Sequence, residues 1–297
     1  STVAGAIARK PVVITRHEGP ALVRRAAGGG FNRNLYYLLD RLVLVRAAAV
    51  IAPSTAVREE VVALGAGRSR VHKILLGADM QRLGAADRAR AEALRREFAA
   101  RSRFVGLTVG RLSWEKSIDV VLHAWKKVLT EHDDAVLLIA GDGPERDKLE
   151  RLARDLGIAR AVSFVGWRAD VPELMIAADV VAHASAVEST GLVLLEALAL
   201  ARPLVTTPVG IAGEYLVDGA HCDVVPHGDA AALARALLRV ARDPAAAAAM
   251  AEAGREAVAR GSSIGPMVAA YASVYDELTD TRRDRPPGSR RWFARAR

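Results

Sequence analysis

The sequence predicts an α/β fold of doubly wound parallel sheets, and three observations predict it. Strand-like segments alternate with helical ones from residue 104 to 225, a pattern of βαβ units whose parallel sheet is covered on both faces. The same alternation recurs, more thinly, between residues 11 and 100. The chain has 297 residues, 51% of them hydrophobic and 26% charged. That is a globular composition with length for two domains and a core that needs no covalent staple.

The first half carries strands at Pro11–Thr15, Ala49–Pro53 and Val71–Leu75, with helices at Asn32–Arg46, Thr55–Leu64 and Asp87–Ala100. A complete doubly wound domain usually has five or six strands and a glycine-rich first turn. Here three strands are visible, and the Gly28–Gly30 cluster follows no strand. The expectation is an incomplete first domain, its opening βαβα segment absent, with a boundary near residue 103.

The second half carries strands at Phe104–Val109, Ala135–Ala140, Ala161–Val165, Val180–Ala184, Pro203–Thr207 and Asp223–Val225. They are short, β-branched and bounded by Gly, Pro or Asp. Between them lie helices at Ser117–Glu131, Glu145–Leu156, Val171–Ala177 and Leu192–Leu200, and a short one near Gly213–Val217. Three terminal helices follow at Asp229–Arg242, Pro244–Arg260 and Ile264–Thr279. Asp229 suits an N-cap, and Pro244 stands at a favoured first-turn position. Residues 280–297 read as a basic disordered tail whose Trp292 and Phe293 are candidates for membrane contact.

Charge is uneven along the chain. Residues 1–103 carry 19 Lys and Arg against 8 Asp and Glu, residues 104–279 carry 16 against 24, and residues 280–297 carry 7 against 2. The basic half reads either as a compositional preference for arginine or as attraction to an anionic lipid surface. Nucleic acid is disfavoured, because aromatics are 5% of the chain and do not interleave with the basic residues as a stacking platform requires. The single cysteine, Cys222, excludes an intramolecular disulfide and a cysteine-cluster metal site and fits a reducing compartment. No run of 18 apolar residues suggests a spanning helix, since the best stretch, Leu42–Ala52, is broken by Arg46. The start lacks a charged flank followed by an apolar block, so no signal peptide is expected.

Two constellations carry chemistry. Gly110-Arg111-Leu112-Ser113-Trp114-Glu115-Lys116 lies between a strand end and a helix start, where open α/β sheets bind ligands. A lysine at a helix start opposes the helix dipole unless an anion is near; compensation by Glu115 and Asp119 on a solvated face is the bland alternative. Glu188-Ser189-Thr190-Gly191-Leu192-Val193-Leu194-Leu195-Glu196 also runs from a strand end into a helix. Its amides near Thr190–Leu192 would be free donors, a seat for a pyrophosphate. Glu196 stands among Leu194, Leu195, Ala197 and Leu198, which argues against full solvation. A carboxylate there can accept from two vicinal sugar hydroxyls.

Other chemistries find less support. Gly141-Asp142-Gly143-Pro144-Glu145 is a broken dinucleotide fingerprint, with a proline inside and no third glycine. No GxSxG or GxxxxGK[ST] occurs, the seven histidines show no HExxH spacing, and no Asp-x-Asp is present to bridge a metal to a diphosphate.

Taken together these motifs resemble family 4 glycosyltransferases of the GT-B fold. The resemblance covers about residues 104–279 and, more weakly, 11–80. It is carried by VGRLSWEK, by AGDGPERDKLERLARDLGIARAVSFVGWRADVPELMIAADVVAHAS, by the two glutamates of ESTGLVLLE, and by EYLVDG with PHGD. It implies two Rossmann-like doubly wound domains, the first incomplete, with the last helix crossing back, and retaining, metal-independent transfer from a nucleoside-diphosphate sugar. No cofactor is implied beyond that donor substrate.

By position, Arg111 and Lys116, beside Gly110, would neutralise the donor diphosphate, helped by the amides of Ser189, Thr190, Gly191 and Leu192. Glu196 would hold the ribose, Glu188 would contact the transferred sugar, and the loop of Gly166, Trp167 and Arg168 would lie near the base. His17, after the first strand, would face the donor sugar or the reacting hydroxyl. A glycan or lipid-linked acceptor, a cytoplasmic setting and peripheral contact with an anionic membrane fit the basic half. Three departures stand out: Ala201 and Ser117 replace glycines that the family usually has, and Ile211 replaces the second glycine of a pair, where its side chain would crowd the sugar pocket. Two alternatives remain open, a catalytically silent nucleotide-sugar-binding module and a nucleotide-sugar epimerase.

Overall fold

Side chains alternate across a β-strand, and that alternation sets the layers of both sheets in this protein. The structure, a computed structural model, describes residues 12–16, 31–99, 102 and 104–283, and of residues 31–37 and 280–283 the backbone alone. His17, Gly28–Gly30, Trp292 and Phe293 lie outside the described residues.

In chain order the elements are β1 (Val13–Thr15), α1 (Phe31–Arg46), β2 (Ala49–Ala52), α2 (Thr55–Ala63), β3 (Val71–Lys73), α3 (Met80–Gly84) and α4 (Arg88–Ala99). Next come β4 (Val105–Val109), α5 (Ile118–Val128), β5 (Val136–Ala140), α6 (Arg146–Asp155), β6 (Val162–Gly166), α7 (Val171–Ala177) and β7 (Val180–His183). The last are α8 (Leu192–Ala199), β8 (Leu204–Thr206), β9 (Asp223–Val224), α9 (Ala230–Arg242), α10 (Pro244–Gly261) and α11 (Ile264–Arg283). Helix α11 runs past the expected Thr279, so residues 280–283 belong to it rather than to a disordered tail.

The chain forms two compact units, Ser1–Ile74 with Gly265–Arg297, and Leu75–Ile264. In the first, β1, β2 and β3 form a parallel sheet in that order. On β2, Val50 and Ala52 pack with Leu44 of α1 and Val57 and Val61 of α2. Ala49 and Ile51 point the other way and meet Val274 of α11. Ser54 starts α2 by accepting the Val57 amide at 3.2 Å, a conventional N-cap.

The second unit holds a six-stranded parallel sheet in the order β6-β5-β4-β7-β8-β9. Leu137 and Ile139 of β5 and Val180 and Ala182 of β7 pack toward α5, α6 and α9, while Leu138 and Val181 pack toward α4, α7, α8 and α10. These strands read as continuous apolar runs because both faces are covered. The chain moves outward from β4 through β5 to β6, then returns beside β4 with β7 and moves outward again through β8 and β9. Strand order therefore reverses between β4 and β7. Loops leaving the carboxyl ends of those two strands part to opposite sides and open a crevice.

The units divide at Ile74/Leu75 rather than near residue 103 because α4 packs on the larger one. Arg95 holds Asp179 through a bidentate pair at 3.1 and 3.0 Å, Arg90 reaches Asp170 at 3.0 Å, and Leu94 is fully buried with Leu174 and Met175. The short helix expected near Gly213–Val217 is a 3-10 turn at Gly210–Gly213. Helix α3, capped by Asp79 accepting from the Arg82 amide, was not expected. Among the described residues no helix is long and apolar enough to cross a membrane.

Among the described residues two that are not glycine adopt positive φ, Ser117 at 47° and Ala201 at 50°. They are two of the three positions where the resemblance leads one to expect glycine. A left-handed conformation costs an L-residue about 1–2 kcal/mol, partly offset by the extra chain entropy glycine loses on folding. Ala201→Gly, at the C-terminal end of α8, is expected to raise the unfolding free energy by ~0.5–1 kcal/mol in urea denaturation.

Candidate functional site

The crevice at the sheet reversal is built by the β4 and β7 loops. The β4 loop is fastened to the loop after β5: the Gly110 amide donates to the Ala140 carbonyl at 2.9 Å, Leu112 to Asp142 at 2.9 Å, and Glu145 back to Leu112 at 2.9 Å. Contact is so close that a Cβ at Gly141 would stand 1.9 Å from the Gly110 carbonyl oxygen, so only glycine fits there. A 3-10 turn at Trp114–Lys116 follows, and the Ala186 amide donates to the Glu115 carbonyl at 2.7 Å, tying the β4 loop to the β7 loop.

Lys116 and Glu188 meet across this tie. The ammonium Nζ donates to Glu188 Oε1 at 2.5 Å, with both side chains largely buried. Glu115 is occupied by Ser113 Oγ, so the compensating carboxylate for Lys116 is Glu188 and not its sequence neighbour. The same Oε1 accepts from His183 Nε2 at 3.1 Å and from Ser185 Oγ at 3.0 Å. Burial pushes the Glu188 carboxyl up, but the hydrogen bond and charge of His183 and the charge of Lys116 outweigh it and hold the pKa at about 2. Arg111, on the same β4 loop, is exposed and forms no ion pair with a described residue.

Helix α8 supplies the other wall. Its N-cap is Gly191 in the left-handed region, φ 74°. Among the described residues no acceptor takes the amides of Ser189, Thr190, Gly191, Leu192 or Val193. Beside them Thr190 Oγ1 is buried without a hydrogen-bond partner. A row of unpaired donors at the positive end of a helix, next to an orphaned hydroxyl, is chemically suited to an anionic oxygen cluster. The row is locked from behind: Ile211 donates to the Thr190 carbonyl at 2.9 Å, and a Cβ at Gly210 would lie 2.1 Å from that oxygen.

Ile211 itself is fully buried in the apolar layer with Leu194 and Leu195. Its side chain belongs to the core.

Farther along α8, Glu196 is half-buried between fully buried Leu195 and Ala197. No described group hydrogen-bonds its carboxylate. Burial raises its pKa, with the Arg82 charge opposing. A half-desolvated carboxylate without donors is poorly served by the fold alone.

The β6 loop carries Trp167, 78% exposed, and Arg168. The Arg168 fork is engaged by Asp170 at 2.7 and 2.6 Å and lies over the Phe98 ring, 5.9 Å from its centroid. Its charge is thus committed within the fold, which leaves Trp167 as the side chain this loop offers outward. The structure therefore joins Gly110, Lys116 and Glu188 and lines up Ser189 to Leu192 beside them, all within the larger unit. Sequence reasoning passed over His183 and Ser185. Their only signal was a polar pair closing an otherwise apolar strand, VVAHAS.

The chain belongs to the group 1 glycosyl transferases: that family's model matches residues 90–257. A glycosyl transferase 4-like domain matches residues 1–77. The chain is 36% identical over 205 residues to the glycogen synthase of Mycobacterium tuberculosis, covering 67% of this chain and 49% of that one. It is 30% identical over 244 residues to the alpha-D-kanosaminyltransferase of Streptomyces kanamyceticus, covering 80% and 63%. Among solved structures, Anabaena Alr3699/HepE in complex with UDP and glucose superimposes with a TM-score of 0.82 at 25% identity, over 94% of this chain and 74% of that one. The chain thus spans about half the length of the glycogen synthase it matches. Its fold is the GT-B-like α/β class that the sequence predicts.

Proposed function

We propose that this chain transfers a sugar from a nucleoside-diphosphate sugar to a hydroxyl acceptor, with retention of anomeric configuration. The observation that carries the reading is the occurrence, at the sheet reversal, of the largely buried Lys116–Glu188 pair followed in sequence by a row of unpaired amides and the orphaned Thr190 hydroxyl. In this reading Lys116 and the exposed Arg111 neutralise the diphosphate charge that a metal would otherwise meet. Glu196 takes the ribose hydroxyls, Trp167 lies against the base, and Glu188 contacts the transferred sugar; His17 serves the sugar or the reacting hydroxyl.

On the front face of the sugar, the acceptor oxygen bonds to the anomeric carbon as the bond to the diphosphate oxygen breaks. The acceptor's proton passes to that leaving oxygen, whose growing charge is met by Lys116 and the α8 amides. A relative bound to UDP and glucose supports the donor class.

The acceptor we propose is a lipid-linked or envelope glycan, reached from the cytoplasmic face of a membrane. Two features support it: the excess of basic residues in 1–103, and exposed Leu38, Leu39, Leu42 and Val45 on α1 beside exposed Arg41 and Arg46. Apolar residues flanked by arginine suit an anionic headgroup layer.

Thermal unfolding with UDP-, GDP- and ADP-sugars tests the donor reading. A ligand held by the folded state alone at 100 times its Kd stabilises by about 2.7 kcal/mol, so one of the three is expected to raise the melting temperature by several degrees. No shift with any of them contradicts the proposal.

A further inference from the structure

We propose that His183 is the positioning residue of this site: with Ser185 it holds the Glu188 carboxylate in place, so that the Lys116 ammonium can leave it for an incoming diphosphate. The inference rests on the donor reading above.

One carboxylate oxygen, Glu188 Oε1, accepts from three donors, Lys116 at 2.5 Å, Ser185 at 3.0 Å and His183 at 3.1 Å. Lys116 cannot serve two anions equally. When its ammonium turns to a diphosphate, Glu188 loses its nearest cation while it remains largely buried. A buried carboxylate stripped of its partner is costly, and that cost would be set against donor binding.

The other two donors limit it. His183 ends β7 and is 2% exposed, and its backbone carbonyl accepts the Thr207 amide at 3.2 Å. The Ser185 carbonyl accepts Thr207 Oγ1 at 2.6 Å. Both donors are therefore fixed to the rigid end of the sheet, whereas Lys116 reaches the carboxylate on a flexible four-carbon stem from the β4 loop. For Nε2 to donate to a carboxylate it must carry the proton, so the ring is either the Nε2–H tautomer or imidazolium. Among the described residues, Lys116 from the β4 loop and His183 and Ser185 from the β7 segment are the groups that meet the Glu188 carboxylate. The depressed Glu188 pKa has the same origin.

Calorimetric titration with UDP, GDP and ADP tests the inference, using the tightest of the three. His183→Leu, which keeps bulk and removes the donor, is expected to weaken binding about tenfold, the scale of a hydrogen bond to a charged group. His183→Gln, whose amide nitrogen reaches where Nε2 stands, is expected to stay within about threefold of the parent. In a Lys116→Ala background, His183→Leu is expected to have no further effect, because there is no ammonium left to release.

Equal losses from His183→Leu in both backgrounds would assign His183 a structural role and overturn the inference. If His183→Leu does not fold, His183→Asn replaces it, since the shorter amide cannot reach Oε1; unchanged affinity in His183→Asn overturns the inference equally. If the parent binds none of the three nucleotides, the donor reading fails first, and this inference fails with it.

Discussion

Lys116→Ala is expected to lower glycosyl transfer by about 10²–10³-fold, the range for removing one transition-state electrostatic partner. The reason is local. In the proposed transfer charge grows on the leaving diphosphate as its bond to the sugar breaks, and Lys116 is a largely buried cation whose loop is fixed to the β7 loop by the Glu115–Ala186 tie. Steady-state rates at saturating donor check this, because a partner felt mainly in the transition state lowers kcat rather than raising KM alone.

The same substitution has a signature in stability. With its pKa at about 2 against an ordinary 4.5, ionised Glu188 contributes stability that is present above about pH 4.5 and is lost as the pH falls toward 2. Without Lys116 the folded pKa moves back toward its ordinary value. The unfolding free energy of Lys116→Ala is then expected to change less across that window than the parent's. Unchanged turnover together with an unchanged pH dependence would remove Lys116 from the mechanism.

Glu196→Gln is expected to weaken donor binding by about tenfold to a hundredfold while leaving the unliganded protein as stable or more stable. Exchanging a charged acceptor of ribose hydroxyls for a neutral one costs about 1.5–3 kcal/mol. In the free protein the balance reverses. The Glu196 carboxyl holds its proton more tightly folded than unfolded, because burial disfavours its charge. Its ionisation therefore works against the folded state at neutral pH, and a neutral amide removes that penalty. Calorimetry and thermal unfolding on one preparation measure both quantities. A large loss of stability in Glu196→Gln would show instead that the carboxylate supports the fold.

The strands between residues 104 and 225 are legible in the sequence because the central ones, β4, β5, β7 and β8, are buried on both faces and therefore mainly apolar, with ends marked by Gly, Pro or Asp. The unit boundary is less legible. Helix α4 is joined to the larger unit by Arg95–Asp179 and Arg90–Asp170, pairs more than 75 residues apart in sequence, and no local pattern announces such pairs. Helix α3 spans five residues, too few for periodicity to register. At the site, Lys116 and Glu196 stand out locally, one against a helix dipole and the other among leucines. Their partners do not: Glu188 reaches Lys116 across 72 residues. His183 is a single polar letter at the end of an apolar strand. Ile211 misleads for a similar reason, since a family position normally held by glycine here turns its side chain into the core.

In the proposed site Lys116 and the first amides of α8 grip one diphosphate. A crystal structure of this chain with UDP tests it most directly. Phosphate oxygens are expected within hydrogen-bond distance of Lys116 Nζ and of the Gly191 or Leu192 amide, with Glu188 still held by His183 and Ser185. A UDP whose phosphates lie elsewhere, with the Lys116–Glu188 pair intact and the α8 amides untouched, would contradict it.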